Sequence, residues 1–312
     1  MPVRPALGDH AGMESVRIRP LAVGDLAGAE RVSAAAFLEA DRLGRRWDEP
    51  EPEPPDAAAS GRWIDKIGYL LSVDPAGCWV AEESGAVVGF AISQNRGGVW
   101  YLATYGVLPD RQGEGIGRRL MDAVLAHAGD RPGLFSATSH PAATRRYRLA
   151  GFTLHPQMRM VGRVDRSALP ATRGLREGRP GDLEWMDRLD ETLRGGGHGP
   201  DHSRMAETMR LVVSDAAAGS SGSSGRRGYV YLDPDRDCPV LLAAADTATA
   251  VTLLWEALAS TRGETLVNCI TTANHWAVDV GLAARLDLAQ EGYLAVRGMP
   301  EPAPYLASGQ YL

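Results

Sequence analysis

Apolar and polar residues change period repeatedly along the chain, and each change marks an element. Ser15 to Arg19 (SVRIR) alternates as a strand does, and a helical period opens after Asp25 and runs through LAGAERVSAAAFLEADRL. Residues 48 to 61 (DEPEPEPPDAAASG) carry too many prolines for either and predict a loop or lid, with a second helix at about Arg62 to Ser72. Cys78 to Glu82 and Val87 to Ser93 predict two strands joined by a Ser84-Gly85 hairpin. After a turn at Asn95 to Gly98, a third strand spans Val99 to Val107. A long helix follows from Gly115 (IGRRLMDAVLAHAG), then a strand at Leu134 to Ala137, a helix at His140 to Ala150 and a strand at Phe152 to Val161. Hairpins early and a crossover late predict a mixed, mostly antiparallel sheet flanked by helices, an α/β (α+β) class.

The pattern then restarts. Residues 164 to 174 predict a linker between a first domain, 1 to 163, and a second, 175 to 312. RIRPLAVGDL (Arg17 to Leu26) is echoed by LREGRPGDL (Leu175 to Leu183), each leading into a helical stretch. Val88-Gly-Phe-Ala-Ile is echoed by Arg227-Gly-Tyr-Val-Tyr, and Ala123-Val-Leu-Ala by Glu256-Ala-Leu-Ala. Two similar domains in tandem are therefore expected, with the Gly/Ser-rich run at 216 to 228 as a loop.

A length of 312 residues agrees with two domains. The formal net charge of −6 argues against nucleic-acid or anionic-membrane partners, which need a basic face, and is compatible with a cationic amine. The only lysine is Lys66; arginine carries the rest of the positive charge, and no mechanism follows from that bias. Cys78, Cys238 and Cys269 are far apart, so neither a disulfide framework nor a metal site is expected. The opening residues lack a signal-peptide core and no stretch approaches a membrane span, which predicts a cytoplasmic protein.

Candidate chemistry concentrates at Val107 to Gly117, VLPDRQGEGIG. A strand ends, the chain turns, and a helix begins among closely spaced glycines. Glycine lets backbone N–H groups approach phosphate oxygens, and a helix N-terminus adds unpaired donors and partial positive charge. A dinucleotide fold would need an acidic residue at the end of a second parallel strand, and a Walker loop would need GK[ST]; neither is present.

The spacing V-x-P-x-x-Q-x-x-G-x-G resembles the acyl-CoA motif of the GNAT superfamily of N-acetyltransferases. A second stretch, Ala143-Thr-Arg-Arg-Tyr147-Arg-Leu-Ala-Gly151-Phe152, resembles the family's A-x-x-x-Y-x-x-x-G-F. The resemblance covers about residues 15 to 163. It implies acetyl-CoA, or another acyl-CoA, as co-substrate. It assigns Gln112, Gly113, Glu114, Gly115, Ile116, Gly117 and Arg118 to a backbone pyrophosphate cradle. Tyr105, Gly106 and Val107 would line the pantetheine, which pairs with that strand end, and an amide near Val107 would face the thioester oxygen. His140 stands where the family often has a cofactor-contacting Asn, and Ala143 is small enough to admit the cofactor.

The implied reaction is direct attack of an amine on the thioester, with Tyr147 as general acid. The bland alternative for Tyr147 is packing of its helix on the sheet. No carboxylate lies between Val99 and Pro109 to serve as base. Substitutes are a water held by Thr104 or Tyr101, a lid residue such as Glu51 or Glu53, or His155, which as a lone histidine beside a strand is more often surface or packing. Trp47 and Trp63 flank the lid as acceptor-pocket candidates, whereas Trp79 and Trp100 are expected in the core.

The second half lacks the chemistry. The loop's counterpart, Ala244 to Val251, contains no glycine, and aligning Ala143 with Ala277 sets Gly281 opposite Tyr147. The resemblance thus extends to tandem-GNAT proteins with a degenerate C-terminal domain, whose roles would be packing, walling an acceptor cleft, or self-association as a homodimer. The tail, Pro304 to Leu312, is aromatic and apolar, which predicts docking. A small-molecule N-acetyltransferase with one working site is the leading expectation. A non-catalytic acyl-CoA sensor or scaffold and a protein or peptide acetyltransferase are the alternatives.

Overall fold

A computed structural model describes residues 16–45, 49–216, 226–309 and 311. Trp47 lies outside the described residues, as do 217–225 of the Gly/Ser-rich run and part of the tail. The strands are β1 Arg17–Pro20, β2 Cys78–Glu83, β3 Ala86–Arg96, β4 Val99–Val107, β5 Gly133–Ala137, β6 Thr153–Arg163, β7 Leu175–Glu177, β8 Arg210–Ala216, β9 Arg226–Asp233, β10 Cys238–Ala244, β11 Glu264–Ile270, β12 Asp287–Arg297 and β13 Tyr305–Leu306. The helices are α1 Leu26–Gly44, α2 Ala57–Val73, α3 Ile116–Ala128, α4 Pro141–Leu149, α5 Leu183–Arg194, α6 Pro200–Thr208, α7 Thr247–Ser260 and α8 His275–Ala283. No helix among the described residues is long and apolar enough to cross a membrane.

Element types agree with the hydrophobic periods, and the differences lie at element ends. Helix α2 starts five residues earlier than its periodicity predicts, because the Asp56 carboxylate accepts the Ala59 N–H at 2.7 Å and caps it. Strand β3 runs to Arg96, and only Gly97 and Gly98, at φ +55° and +97°, make the turn.

Contacts divide the chain into two compact units. The first comprises the described residues of Met1–Arg42, with Pro50–Ile92 and Tyr105–Leu125; the second comprises Leu43–Glu49, Ser93–Thr104 and Ala126–Leu312, as far as described. In the first unit β1, β2 and β3 pair antiparallel in that order, over buried Ile67, Leu70, Val80, Phe90, Leu120 and Val124. In the second, β4 pairs parallel with β5 at Trp100–Gly133 and Tyr101–Leu134, and the order continues β5-β12-β6-β11 with antiparallel pairs. A separate five-stranded sheet runs β13-β10-β9-β8-β7.

That order contains an exchange. The late strand β12 inserts beside β5, and β6, the strand following α4, lies instead between β12 and β11. The cores of α7 and α8 pack on Met160 of β6 as well as on β9 and β10, so β6 contributes to a hydrophobic cluster built chiefly by the later part of the chain.

The internal echo has a physical counterpart. Arg19 donates to both carboxylate oxygens of Asp25 at 2.6 and 2.9 Å, while Asp25 Oδ2 accepts the Ala22 N–H at 2.8 Å. Arg176 donates to Asp182 at 2.8 and 2.7 Å, and Asp182 Oδ2 accepts the Arg179 N–H at 2.8 Å. The same strand-to-helix corner is built twice, and its bidentate arginine holds each carboxyl below its ordinary range. Gly89 and Gly228 also correspond. A Cβ on Gly89 would meet Leu120 of α3 at 3.0 Å, and one on Gly228 would meet Leu253 of α7 at 2.8 Å. Trp63 stands edge-on to Phe90 at 5.5 Å, and His202 edge-on to Tyr229 at 5.4 Å.

Candidate active site

The loop after β4 has the geometry an anion needs. A 3-10 turn at Pro109–Arg111 reverses the chain, Gly113 and Gly115 take φ of +87° and +83°, and α3 begins at Ile116. Left-handed backbone explains both glycines, since a Cβ at either would meet nothing within 4 Å. The space before the backbone is open, and residues 112–115 are exposed. Among the described residues, the backbone N–H groups of Gly113 through Arg118 have no acceptor; the first amide of α3 to be paired is that of Arg119, bonded to the Gly115 carbonyl at 3.2 Å. By contrast, Asp56 and Asp246 cap α2 and α7 with their carboxylates. Helix α3 presents bare donors and the positive end of its dipole.

Side chains set the loop's shape. Arg111 pairs with both Glu83 and Glu114, which holds its guanidinium charged and the Glu83 carboxyl below its ordinary range. Glu114 is thereby turned onto Arg111, leaving its backbone as its contribution to the cradle. Gln112 donates from Nε2 to the Val107 carbonyl at 3.3 Å, fixing the strand end. Gly117 packs closely under Tyr105, since a Cβ there would have to displace the Tyr105 hydroxyl. Gly106 faces Phe90 and Ala36 at 3.2 and 3.3 Å by the same test. Arg119 bonds the Val16 carbonyl at 2.7 Å, while Arg118 is exposed and loosely paired with Asp122 at 3.6 Å. Arg118 is the cation left to meet an anion at this helix end.

The second motif reads as a helix stop. Tyr147 is the third residue from the end of α4; its carbonyl accepts the Ala150 and Phe152 N–H groups, both at 3.1 Å, across Gly151 at φ +87°. Phe152 then packs on Phe135 at 4.8 Å between ring centres, and Phe135 on Tyr147 at 4.6 Å. Tyr147 is 6% exposed, so the packing role is real whatever its hydroxyl does. His140 is the N-cap of α4 and makes no side-chain cap bond; its carbonyl accepts from Thr144. Ala143 is half-buried on the same helix.

The candidates for the base separate. Thr104 is buried and its Oγ1 has no partner among the described residues. Tyr101 is fully buried and donates to Asp201 Oδ2 at 3.0 Å, so it is not available to hold a water for the reaction. His155 pairs with Glu301 at 2.5 Å.

Sequence reasoning missed a buried polar cluster in the second unit. Its one signal was His198-x-x-x-His202 directly after three glycines. Asp190 Oδ2 accepts from His198 Nδ1 and His202 Nε2, each at 2.8 Å, and Tyr229 donates to Oδ1 at 2.6 Å. The three are metal-ligand types brought together, yet the wiring opposes a metal. His198 Nε2 lies 2.7 Å from Arg194 Nη1 and 3.3 Å from the Tyr305 hydroxyl, so it is the acceptor and Nδ1 carries the proton. A metal on Nδ1 would move that proton to Nε2, against a guanidinium, whereas a ligating histidine needs an acceptor there. Burial, with Arg194 beside it, pushes the His198 pKa down to about 4. Nearby, Arg96 forms a buried pair with Asp201 at 2.9 and 3.2 Å.

Residues 39–152 match the model of the acetyltransferase (GNAT) family, a range that holds both the glycine loop and the tyrosine helix. Residues 39–152 thus carry a GNAT-family match. The family uses acyl-CoA, and the bare amides, open glycines and exposed Arg118 fit a pyrophosphate. A mycothiol acetyltransferase from Kytococcus sedentarius is 33% identical over 138 residues, which is 41% of this chain and 43% of that protein's length. The fold as a whole resembles a candidate acetyltransferase from Pyrococcus horikoshii, with a TM-score of 0.70 at 15% identity, covering 97% of this chain and 98% of that one. A tandem GNAT protein from the clavulanic acid biosynthesis pathway gives a TM-score of 0.52 at 16% identity, over 92% of this chain and all of that one. The fold is therefore shared with these two proteins along nearly the whole chain.

Proposed function

We propose that this GNAT protein transfers an acetyl group from acetyl-CoA to the primary amine of a small molecule, using one cofactor site in its N-terminal half. The observation that carries the reading is the run of unpaired amides from Gly113 to Arg118 on left-handed glycines. Those amides and Arg118 hold the pyrophosphate, and Tyr105 to Val107 line the arm. When bound, the cofactor supplies a thioester carbonyl activated toward nitrogen attack. A backbone amide near Val107 stabilises the charge that develops on the carbonyl oxygen. As the N–C bond forms and the C–S bond breaks, the amine loses a proton to a water held by Thr104. The departing sulfur takes a proton from the Tyr147 hydroxyl, which solvent then restores. His140 and Ala143 complete the cofactor contacts.

We further propose that residues 1–163 and 175–312 are homologous halves joined by 164–174, and that the second half is structural. The twice-built Arg–Asp corner supports the repeat. The carboxylate-capped α7 supports a second half without a phosphate site. Gly281, set opposite Tyr147, leaves room that Met160 of β6 fills, since a Cβ there would lie 2.7 Å from Met160 Cγ.

The test is acetyl-CoA turnover over a panel of small amines and peptides, with Tyr147→Phe and Gly115→Glu as controls. Turnover on a small amine that is lost in Tyr147→Phe supports the reading. Preference for peptides would favour a protein acetyltransferase, and tight CoA binding without turnover a sensor. CoA binding that survives Gly115→Glu intact would remove the loop from the cofactor site.

A further inference from the structure

The repeat allows each open feature of the first half to be compared with its counterpart. The register set by Gly89 and Gly228 places Gly106 and Val107 opposite Ala243 and Ala244, because a Cβ on Gly89 meets the Gly106 carbonyl and Val107, and one on Gly228 meets Ala243 and Ala244. Helix α3 corresponds to α7. His140 and Asn274, the N-cap residues of α4 and α8, correspond as well.

Each of these positions in the second half is filled by the chain itself. At α7, Asp246 Oδ1 accepts the Thr249 N–H and Oδ2 its hydroxyl, both at 2.9 Å, which places a carboxylate at the helix end where α3 is bare. Along β10, β13 lies antiparallel with Leu242 opposite Leu306 and Ala243 opposite Tyr305, and the Ala244 N–H reaches the Pro304 carbonyl at 3.2 Å. Asn274 clamps the same segment from the other side. Its Nδ2 donates to the Pro302 carbonyl at 3.1 Å and its Oδ1 accepts the Tyr305 N–H at 2.8 Å. Tyr305, Leu306 and Asn274 are all buried.

We propose that residues 302–306 are a built-in ligand of the C-terminal half. They occupy the groove that matches the acyl-CoA groove of the N-terminal half, with Asp246 in the place of the phosphate. An extended peptide offers the amide donors and acceptors that an amide-bearing arm would offer to a strand edge, so β10 loses nothing by the substitution. The inference rests on the acyl-CoA reading of the first half. Its consequences are that the chain takes one acyl-CoA and that its C-terminal segment is part of the fold.

Hydrogen exchange of the full chain, with and without saturating CoA, tests this together with a CoA titration. Amides 113–118 should exchange fast and slow by about tenfold or more with CoA, whereas 238–246 and 303–308 should be slow in both states. The titration should saturate at one CoA per chain. In Asn274→Ala, exchange at 303–308 and at Ala244 should rise about tenfold, as the two hydrogen bonds that clamp this segment are lost, while CoA still protects 113–118. CoA-dependent exchange at 238–250, a stoichiometry of two, or unchanged exchange at 303–308 in a folded Asn274→Ala would each overturn the proposal. The stoichiometry decides the matter if that variant does not fold. Failure of CoA to protect 113–118 would instead refute the reading of the first half.

Discussion

Replacing Gly115 with alanine separates the cost of backbone strain from the loss of a ligand. The residue sits at φ +83° with no heavy atom within 4 Å of an added Cβ. The stability cost is therefore backbone strain alone, about 1–2 kcal/mol for a non-glycine residue in left-handed geometry. In a chain of this size that lowers Tm by roughly 2–8 °C. The effect on CoA is separate and larger. A methyl group in the open space before the amides of Gly115 to Gly117 holds phosphate oxygens out of reach. Losing one charge-assisted hydrogen bond, at about 1.5–3 kcal/mol, raises Kd by roughly 10- to 150-fold. Calorimetric titration with CoA and thermal unfolding measure the two effects on one sample. Gly24→Ala is the control, because that glycine is neither left-handed nor crowded, and both its Tm and its Kd should stay near wild type. A Kd within twofold of wild type in Gly115→Ala, alongside the expected fall in Tm, would refute phosphate contact at this backbone.

Three further outcomes follow from the same geometry. Tyr147→Phe keeps the ring contact with Phe135 and should lower kcat by about 100-fold or more with CoA affinity unchanged; a kcat within twofold would return Tyr147 to packing alone. Asp201→Asn leaves Arg96 as a buried cation without its counter-charge and should cost about 3–5 kcal/mol in urea unfolding, and a cost under about 1 kcal/mol would contradict the buried pair. The folded His198 has its pKa lowered from 6.5 to about 4, so the unfolded chain binds that proton first as pH falls. Stability should be full above about pH 6.5 and decline by about 3 kcal/mol toward pH 4, a slope that His198→Gln should flatten. A urea midpoint that does not change between pH 7 and 4.5 would show that the buried histidine is not held neutral.

Much of the candidate site's local geometry was legible in the chain because its signals are local. Helical and strand periods act over a few residues. The glycine loop, the tyrosine helix with its Gly151-Phe152 stop and both Arg–Asp corners are each built within about a dozen consecutive residues, so spacing alone carries them. Element ends were less legible, since the cap at Asp56 decides where α2 begins and hydrophobic period does not report caps. Strand partners lay beyond sequence reading. Strands β6 and β12 carry similar patterns, and either could satisfy the edge of β5; the packing of Met160 under α7 and α8 goes with the exchanged arrangement. The buried cluster joins Asp190, His198, His202, Tyr229 and Tyr305 across more than a hundred residues, and no short spacing announces it. The seat of residues 302–306 on β10 was hidden for the same reason: the aromatic and apolar run from Pro304 to Leu312 predicted docking, but only the free edge of β10 and the side chain of Asn274 decided where residues 302–306 sit. The sequence by itself determined the glycine loop and the recurring Arg–Asp corner, whereas long-range competition for strand edges and buried hydrogen-bond partners, resolved only in the folded chain, determined the strand order and the seat of β13 on β10.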